Sequence, residues 1–356
     1  MLSWLTSLRL EILYFAGCAR FFEWWRAGEG VILRFERVCP RKSSRFQPLR
    51  SREISPEFLD RLLRALRRWK YDILAIDALP ERLRRPGARP RRFVCLTFDI
   101  GYRDFHDHAW PILKKHDAPV ALYIPANFPD QLGELWWPAL EDVVARNDRI
   151  GLIIGGVEHR LDCRRVHDKR QVFDFLYETI GAMPMAEGST TIRDLCRRYG
   201  VDLQAISSAA LMSWPEIATI AADPLLTIGS ASVTYPMLSR IDRQASEREL
   251  RMGRAVVEAA VGRRAPHLAY PFGALGTFGR REIMLAAELG FATAVTAEAG
   301  VINAASVELM SLPRIAWDGR RRSLRAMRVL LTGLSLGKRS SSRNDPVSAA
   351  ADPTST

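Results

Sequence analysis

The sequence predicts an α/β fold in which strands alternate with helices around one parallel sheet or barrel. Two observations carry this expectation. Short apolar runs rich in Val, Ile, Leu and Phe alternate with longer segments whose apolar residues recur at helical spacing. Three of the runs stop directly at turns rich in polar, aromatic or glycine residues, after Phe98, Ile228 and Leu268. In parallel α/β folds chemistry gathers at the carboxyl ends of strands, so these turns are the places to look for a site. No fixed-period repeat interrupts the pattern.

The elements follow in order. Residues 30–35, "GVILRF", read as a first buried strand. In "SPEFLDRLLRALRRWKYD" a helix begins with Ser55 as N-cap, Pro56 at the first helical position and Glu57 in the first turn. Its residues Phe58, Leu59, Leu62, Leu63, Leu66 and Trp69 share one face, and arginines take the other. "DILAI" (72–76) reads as a second strand, and a Pro/Arg-rich loop leads to "FVCLTF" (93–98). "HAWPILKK" predicts a helix ending near Lys115, and "VALYI" (120–124) a further strand. "LLTIGSASV" and "LAYPFG" each place an apolar run before a turn. Amphipathic helices are predicted at 243–262 and 281–290, with late strands in "FATAVTA" and "SLPRIAW".

Three regions result. Residues 1–29 form an amphipathic segment, 30–334 the α/β domain, and 335–356 a Ser/Pro/Ala-rich tail expected to be disordered. With 356 residues and 47% apolar content the chain can bury a full core. The N-terminal segment is interrupted by Arg9, Glu11, Arg20 and Glu23. No uncharged run there reaches the ~18 residues of a spanning helix, and a signal-peptide pattern is absent. The segment therefore packs on the domain or lies on a membrane surface, and the expected location is cytoplasmic with a membrane-associated pool.

The 52 Lys+Arg outnumber the 40 Asp+Glu. Much of the excess lies in runs, Arg82, Arg84, Arg85, Arg89, Arg91 and Arg92, then Arg320, Arg321, Arg322, Arg325 and Arg328. No nucleic-acid motif accompanies them, so a solvated face is preferred and no nucleic-acid partner is expected. The five cysteines form no CxxC and read as reduced, buried thiols.

Several ordered motifs resemble the polysaccharide deacetylase family, the NodB-homology group of carbohydrate de-N-acetylases. "LTFDIGYRD" resembles its opening motif, a strand ending in two adjacent aspartates before Gly-Tyr. "TIGSASVTYPMLS" resembles its second motif, with two histidines four residues apart, and "LAYPFG" its third, one wall of the sugar groove. "HAWPILKKHDAPVALYI", "LMSW", "RELRMGR" and "SLPRI" resemble the connecting segments. The likeness runs from about Gly30 to Trp317 and implies a distorted (β/α) barrel.

The family's chemistry, as the resemblance implies it, uses a divalent metal, commonly zinc, held by one aspartate and two histidines. A second aspartate serves as general base toward water, which attacks an acetamide carbonyl. Placed on this sequence, the base position is Asp99, while Ile100 falls on the metal-binding aspartate and Ala231 and Tyr235 on the two histidines. Isoleucine and alanine offer no donor, so the metal set is degenerate and no cofactor is expected. Glu36 stands where many relatives carry histidine, and Leu268 or Ala269 where an arginine often accompanies the base. Tyr102, Tyr270, Pro271, Phe272, Gly273, Trp137 and Arg314 are the candidate substrate-binding residues. Of the adjacent Trp136 and Trp137, one is expected in the core. Trp214 reads as a packing residue over the mouth, and Arg314 as a partner of Asp99 or a structural ion pair. "DFHDHAW" supplies Asp104, His106, Asp107 and His108, but His106 and His108 two residues apart on a helix point to different sides. His116, His159, His167 and His267 are scattered and read as surface or packing residues.

The preferred reading is a deacetylase-like protein of carbohydrate metabolism that binds an oligo- or polysaccharide, for example a chitooligosaccharide, without metal-dependent hydrolysis. Two alternatives stand beside it. One is an active deacetylase using Asp99 as base with a non-standard metal or none. The other is a basic scaffold docking on an anionic surface.

Overall fold

The computed structural model describes residues 29–85, 91–154, 156–321 and 323–333. The expectations for the N-terminal segment, the C-terminal tail, Arg89 and Arg322 lie outside these residues. Eight strands form one sheet: β1 (Gly30–Phe35), β2 (Asp72–Ile73), β3 (Phe93–Asp99), β4 (Val120–Ile124), β5 (Leu226–Ser230), β6 (His267–Ala269), β7 (Thr293–Val295) and β8 (Ile315–Ala316). Eleven α-helices accompany them among the described residues: α1 (Pro56–Arg68), α2 (Leu79–Arg84), α3 (Trp110–Lys115), α4 (Trp136–Arg146), α5 (Val166–Ala182), α6 (Met185–Arg198), α7 (Leu203–Ala210), α8 (Trp214–Ala221), α9 (Arg243–Val261), α10 (Arg280–Glu288) and α11 (Leu324–Leu331).

All pairings within the sheet are parallel, in the order β7-β6-β5-β4-β3-β1-β8, with β2 beside the start of β3. The sheet curls until its edges meet, because Leu312, just ahead of β8, bridges to Val295 of β7. Thr296 donates to the Leu312 carbonyl at 2.9 Å, and Leu312 to that of Ala294 at 2.9 Å. The result is a distorted (β/α) barrel, as the alternation of runs predicts.

The period-2 alternation of strand side chains separates two layers. Val31, Leu33 and Phe35 of β1, with Val94, Leu96 and Phe98 of β3, face the outer helices and pack with Phe58, Leu62 and Leu66 of α1. Ile32 of β1, Phe93 and Cys95 of β3 and Tyr123 of β4 belong to the second, inner cluster. The same parity places Arg34, Thr97 and Asp99 inward at the carboxyl end of the barrel. Buried strands that read as continuous apolar runs therefore still deliver polar residues to one point.

Helix α1 begins as its sequence dictates, with the Ser55 side chain accepting from the Phe58 amide and Pro56 at the first position. Helix α9 ends at Gly262, whose φ of 68° closes it in a left-handed cap. The strand expected over 72–76 is shorter: only Asp72 and Ile73 pair, and a 3₁₀ turn follows at Ile76–Ala78. From Leu96 onward β4 takes the edge of β3 that β2 held, so β2 has nothing further to pair with. The crossover from β4 to β5 is long and carries α4–α8 and an antiparallel hairpin, Arg149–Ile154 with Val157–Asp162. No described helix is long and apolar enough to cross a membrane.

Candidate functional site

Asp99 is the last residue of β3 and is 2% exposed. Its carboxylate is held from two sides. Arg314, itself 1% exposed, donates through Nη1 to Oδ1 at 2.7 Å and through Nη2 to Oδ2 at 2.9 Å. Arg34 of β1 donates through Nε to Oδ2 at 2.6 Å. Arg314 is fixed in turn by the Thr296 carbonyl at 2.7 Å and the Thr97 hydroxyl at 3.2 Å. Arg34 continues to Glu36 at 3.0 Å, and Glu36 meets Arg52 at 3.3 Å. The site is thus a line of alternating charges, Arg314, Asp99, Arg34, Glu36 and Arg52, drawn into the barrel mouth. Charges this enclosed are tolerable only when each is paired and hydrogen-bonded.

This pairing fixes the state of Asp99. Burial alone pushes its carboxyl upward, but the charges of Arg314 and then Arg34, with a hydrogen bond from each, hold it below the usual carboxylate range. Asp99 is therefore an anion whose acceptor sites are engaged by guanidinium donors. A general base must take a proton, and an acid made stronger by two cations is a weaker base.

Ile100, Ala231 and Tyr235 gather in one apolar cluster, at 3%, 0% and 9% exposure. Ile100 has a φ of 81°, a conformation that β-branched side chains avoid. Its amide donates to the Tyr123 carbonyl at 2.8 Å, which holds the turn after β3 against β4. Ser232 and Tyr235 also carry positive φ, at 70° and 61°. The Tyr235 ring lies between Phe128, 6.0 Å away, and Phe272, 5.0 Å away. Burial first, and then the Asp99 charge, push its phenol up to about 12 despite the nearby Arg34. Tyr123, in register with Asp99, has the Arg314 guanidinium 5.7 Å from its ring centre. Its hydroxyl is enclosed with no hydrogen-bond partner among the described residues.

No family model matches the chain, and no curated protein matches it in sequence. Solved structures do. The Streptococcus pyogenes deacetylase PplD in complex with acetate is 15% identical, with a TM-score of 0.55 over 84% of this chain and 97% of that one. A polysaccharide deacetylase from Bacillus cereus is 13% identical, with a TM-score of 0.53 over 85% and 68% of the respective chains. IcaB from Ammonifex degensii is 17% identical, with a TM-score of 0.51 over 85% and 97%. The fold is that of the polysaccharide deacetylases.

On this deacetylase fold, the three positions where the resemblance places metal ligands offer one phenol and two hydrocarbon side chains. Among the described residues no group of three or more His, Cys, Asp or Glu side chains is placed to hold a metal. Arg34 donates to Asp99, the neighbour of Ile100, at 2.6 Å, so a cation already lies beside that ligand position. Residues of this kind do not fit a divalent metal. The other candidates do not replace them. Asp104 is buried and paired with Arg37 at 2.7 Å, whereas His106 contacts Asp107 in the turn beyond it. His116 meets Asp60 at 2.8 Å, and His267 is buried between Thr293 and Asp77.

The substrate-binding candidates divide. Trp137 is 4% exposed, and its indole N–H donates to the Tyr102 hydroxyl at 2.9 Å. This corrects the expectation of Trp137 as a substrate-binding residue: α4 packs it inward, and the half-buried partner is Trp136. Tyr102 and Tyr270 are each 1% exposed, so they too shape the wall from behind rather than present a face. Tyr270 stacks on Phe278 at 4.5 Å and donates to the Met310 carbonyl at 2.8 Å. Pro271 is buried in the same turn. Gly273 has a φ of 67°, and an added Cβ would meet the Ala297 amide nitrogen at 2.7 Å, so both conformation and space require glycine. Only Phe272 keeps part of its ring at the surface. Sequence reasoning missed Arg34 and Arg52. The signal for Arg34 is its parity with Ile32, which turns an arginine inward within "GVILRF".

Proposed function

We propose that this chain binds an oligo- or polysaccharide at the mouth of its barrel and does not perform metal-dependent deacetylation. The observation that carries the reading is the double arginine clamp on Asp99. It places three guanidinium hydrogen bonds on the one acid that the resemblance assigns as base, beside three positions that offer one phenol and two hydrocarbon side chains. A hydrolytic role for Asp99 without metal is the weaker reading, because the carboxylate is ionised, enclosed and already bonded. Phe272 and the exposed Leu132 and Leu275 stand on loops following the carboxyl ends of β4 and β6, where a pyranose face can rest on apolar surface. A chitooligosaccharide is the first ligand to try, and a cytoplasmic location fits the four described cysteines, all free and buried.

Titration calorimetry with acetylated chitooligosaccharides, followed by an acetate assay on the same mixtures, tests this. The expected result is saturable heat that Phe272→Ala weakens, with no acetate released. Acetate release that disappears in Asp99→Asn overturns the reading.

A further inference from the structure

Outside the site lies a cavity of about 40 Å³ lined by Arg41, Arg50, Arg61 and Arg321, with Glu57 the one carboxylate on its wall. Four separate parts of the chain converge there: the loop after β1, the 3₁₀ turn Pro48–Arg52, the first turns of α1 and the segment leaving β8. All four follow the carboxyl end of a strand or begin the helix after it, so the cavity sits on the same end of the barrel as Asp99. Its walls are firm. Phe58 stacks on Trp317 at 5.2 Å, and the Gly319 amide donates to the Ser51 carbonyl at 2.9 Å.

The charges here are only partly settled internally. Among the described residues no carboxylate lies within ion-pair distance of Arg41, Arg61 or Arg321. Nη1 of Arg50 is enclosed without a hydrogen-bond acceptor, and its nearest carboxylate, Glu53, is 3.6 Å away. Glu53 is shared with Lys42 at 2.8 Å and Arg37 at 3.8 Å. Nε of Arg321 is likewise enclosed without an acceptor among the described residues. An unsatisfied buried donor on a charged group carries a desolvation cost that a bound acceptor removes.

We propose that this cavity is a binding site for a phosphoryl group. Arginines from four separate parts of the chain line it, and a tetrahedral oxyanion, which offers acceptors on several sides, can engage more of them than a planar carboxylate with two oxygens. The volume holds about three water-sized spheres, the scale of one such group. The start of α1 adds its positive dipole end. The site is separate from the proposed glycan surface, so it stands or falls independently of that reading.

The test is calorimetric titration of the full chain at 0.15 M NaCl with inorganic phosphate, glucosamine 6-phosphate and phosphatidic acid vesicles. The expected result is one site per chain, with affinity at least tenfold weaker in Arg61→Gln, an exposed position whose replacement leaves the fold intact. Arg321→Gln gives a second reading where circular dichroism shows it folded. Tightest binding by inorganic phosphate, by the sugar phosphate or by the vesicles identifies the source of the phosphoryl group, and each supports the site. Absence of binding by all three probes, or binding that Arg61→Gln leaves within twofold, overturns it.

Discussion

Replacing Arg314 by methionine isolates the interaction on which the site depends. The side chain is 1% exposed and spends its donors on both Asp99 oxygens, the Thr296 carbonyl and the Thr97 hydroxyl. Breaking a buried ion pair from one side costs about 3–5 kcal/mol. Arg34 still holds Asp99 at 2.6 Å, so the lower end, ~3 kcal/mol, is expected. That is a large part of the roughly 5–15 kcal/mol of a typical domain. Urea unfolding followed by circular dichroism reads it as a fall in midpoint. The pH dependence supplies a second reading. The folded pKa of Asp99 lies below its ordinary value of 3.8, so its contribution is present above that pH and lost as pH falls toward the folded value. In Arg314→Met the folded pKa rises, and the acid-side loss of stability below about pH 4 becomes smaller. A cost under ~1 kcal/mol, the range of surface pairs, with an unchanged acid limb, refutes the clamp.

Three further outcomes follow from the same geometry. At Ile100, glycine is expected to destabilise less than alanine, by about 1 kcal/mol in urea unfolding, reversing the usual order because φ is 81°; alanine better than glycine refutes the strain. Gly253→Ala places a Cβ 2.5 Å from the Ser232 carbonyl carbon, and the turn bearing Ala231 must yield. A loss of about 1–3 kcal/mol is expected, and an unchanged midpoint contradicts the close approach. Restoring the degenerate positions as Ile100→Asp, Ala231→His and Tyr235→His is expected to bind zinc tightly only when Arg34→Ala is added. Equal zinc affinity with and without Arg34, measured by competition with a chelator, shows that the guanidinium does not occupy the cation's place.

Much of the architecture is legible in the sequence. β3, β4 and β5 announce themselves as apolar runs of strand length. α1 announces itself through Ser55, Pro56 and a one-sided row of leucines, because local capping and periodicity act over a few residues. The long insertion between β4 and β5 is not announced in the same way, since its hairpin strands Arg149–Ile154 and Val157–Asp162 mix polar and apolar residues around a largely exposed ribbon. At the site, motif order identifies Asp99, Ile100, Ala231 and Tyr235 and offers Arg314 as a partner of Asp99, but it does not reveal the second cation, Arg34. That depends on the pairing of Arg34 with Thr97 across β1 and β3, a contact 63 residues apart in sequence. Trp137 is misread for a related reason, because its partner Tyr102 is 35 residues away.

Elemental analysis of the full chain after incubation with excess zinc and removal of unbound ion tests the central claim most directly. The clamp on Asp99 and the donor-poor side chains of Ile100 and Ala231 predict far less than one ion per chain, unchanged in Asp99→Asn. About one zinc per chain, lost in Asp99→Asn, contradicts the account.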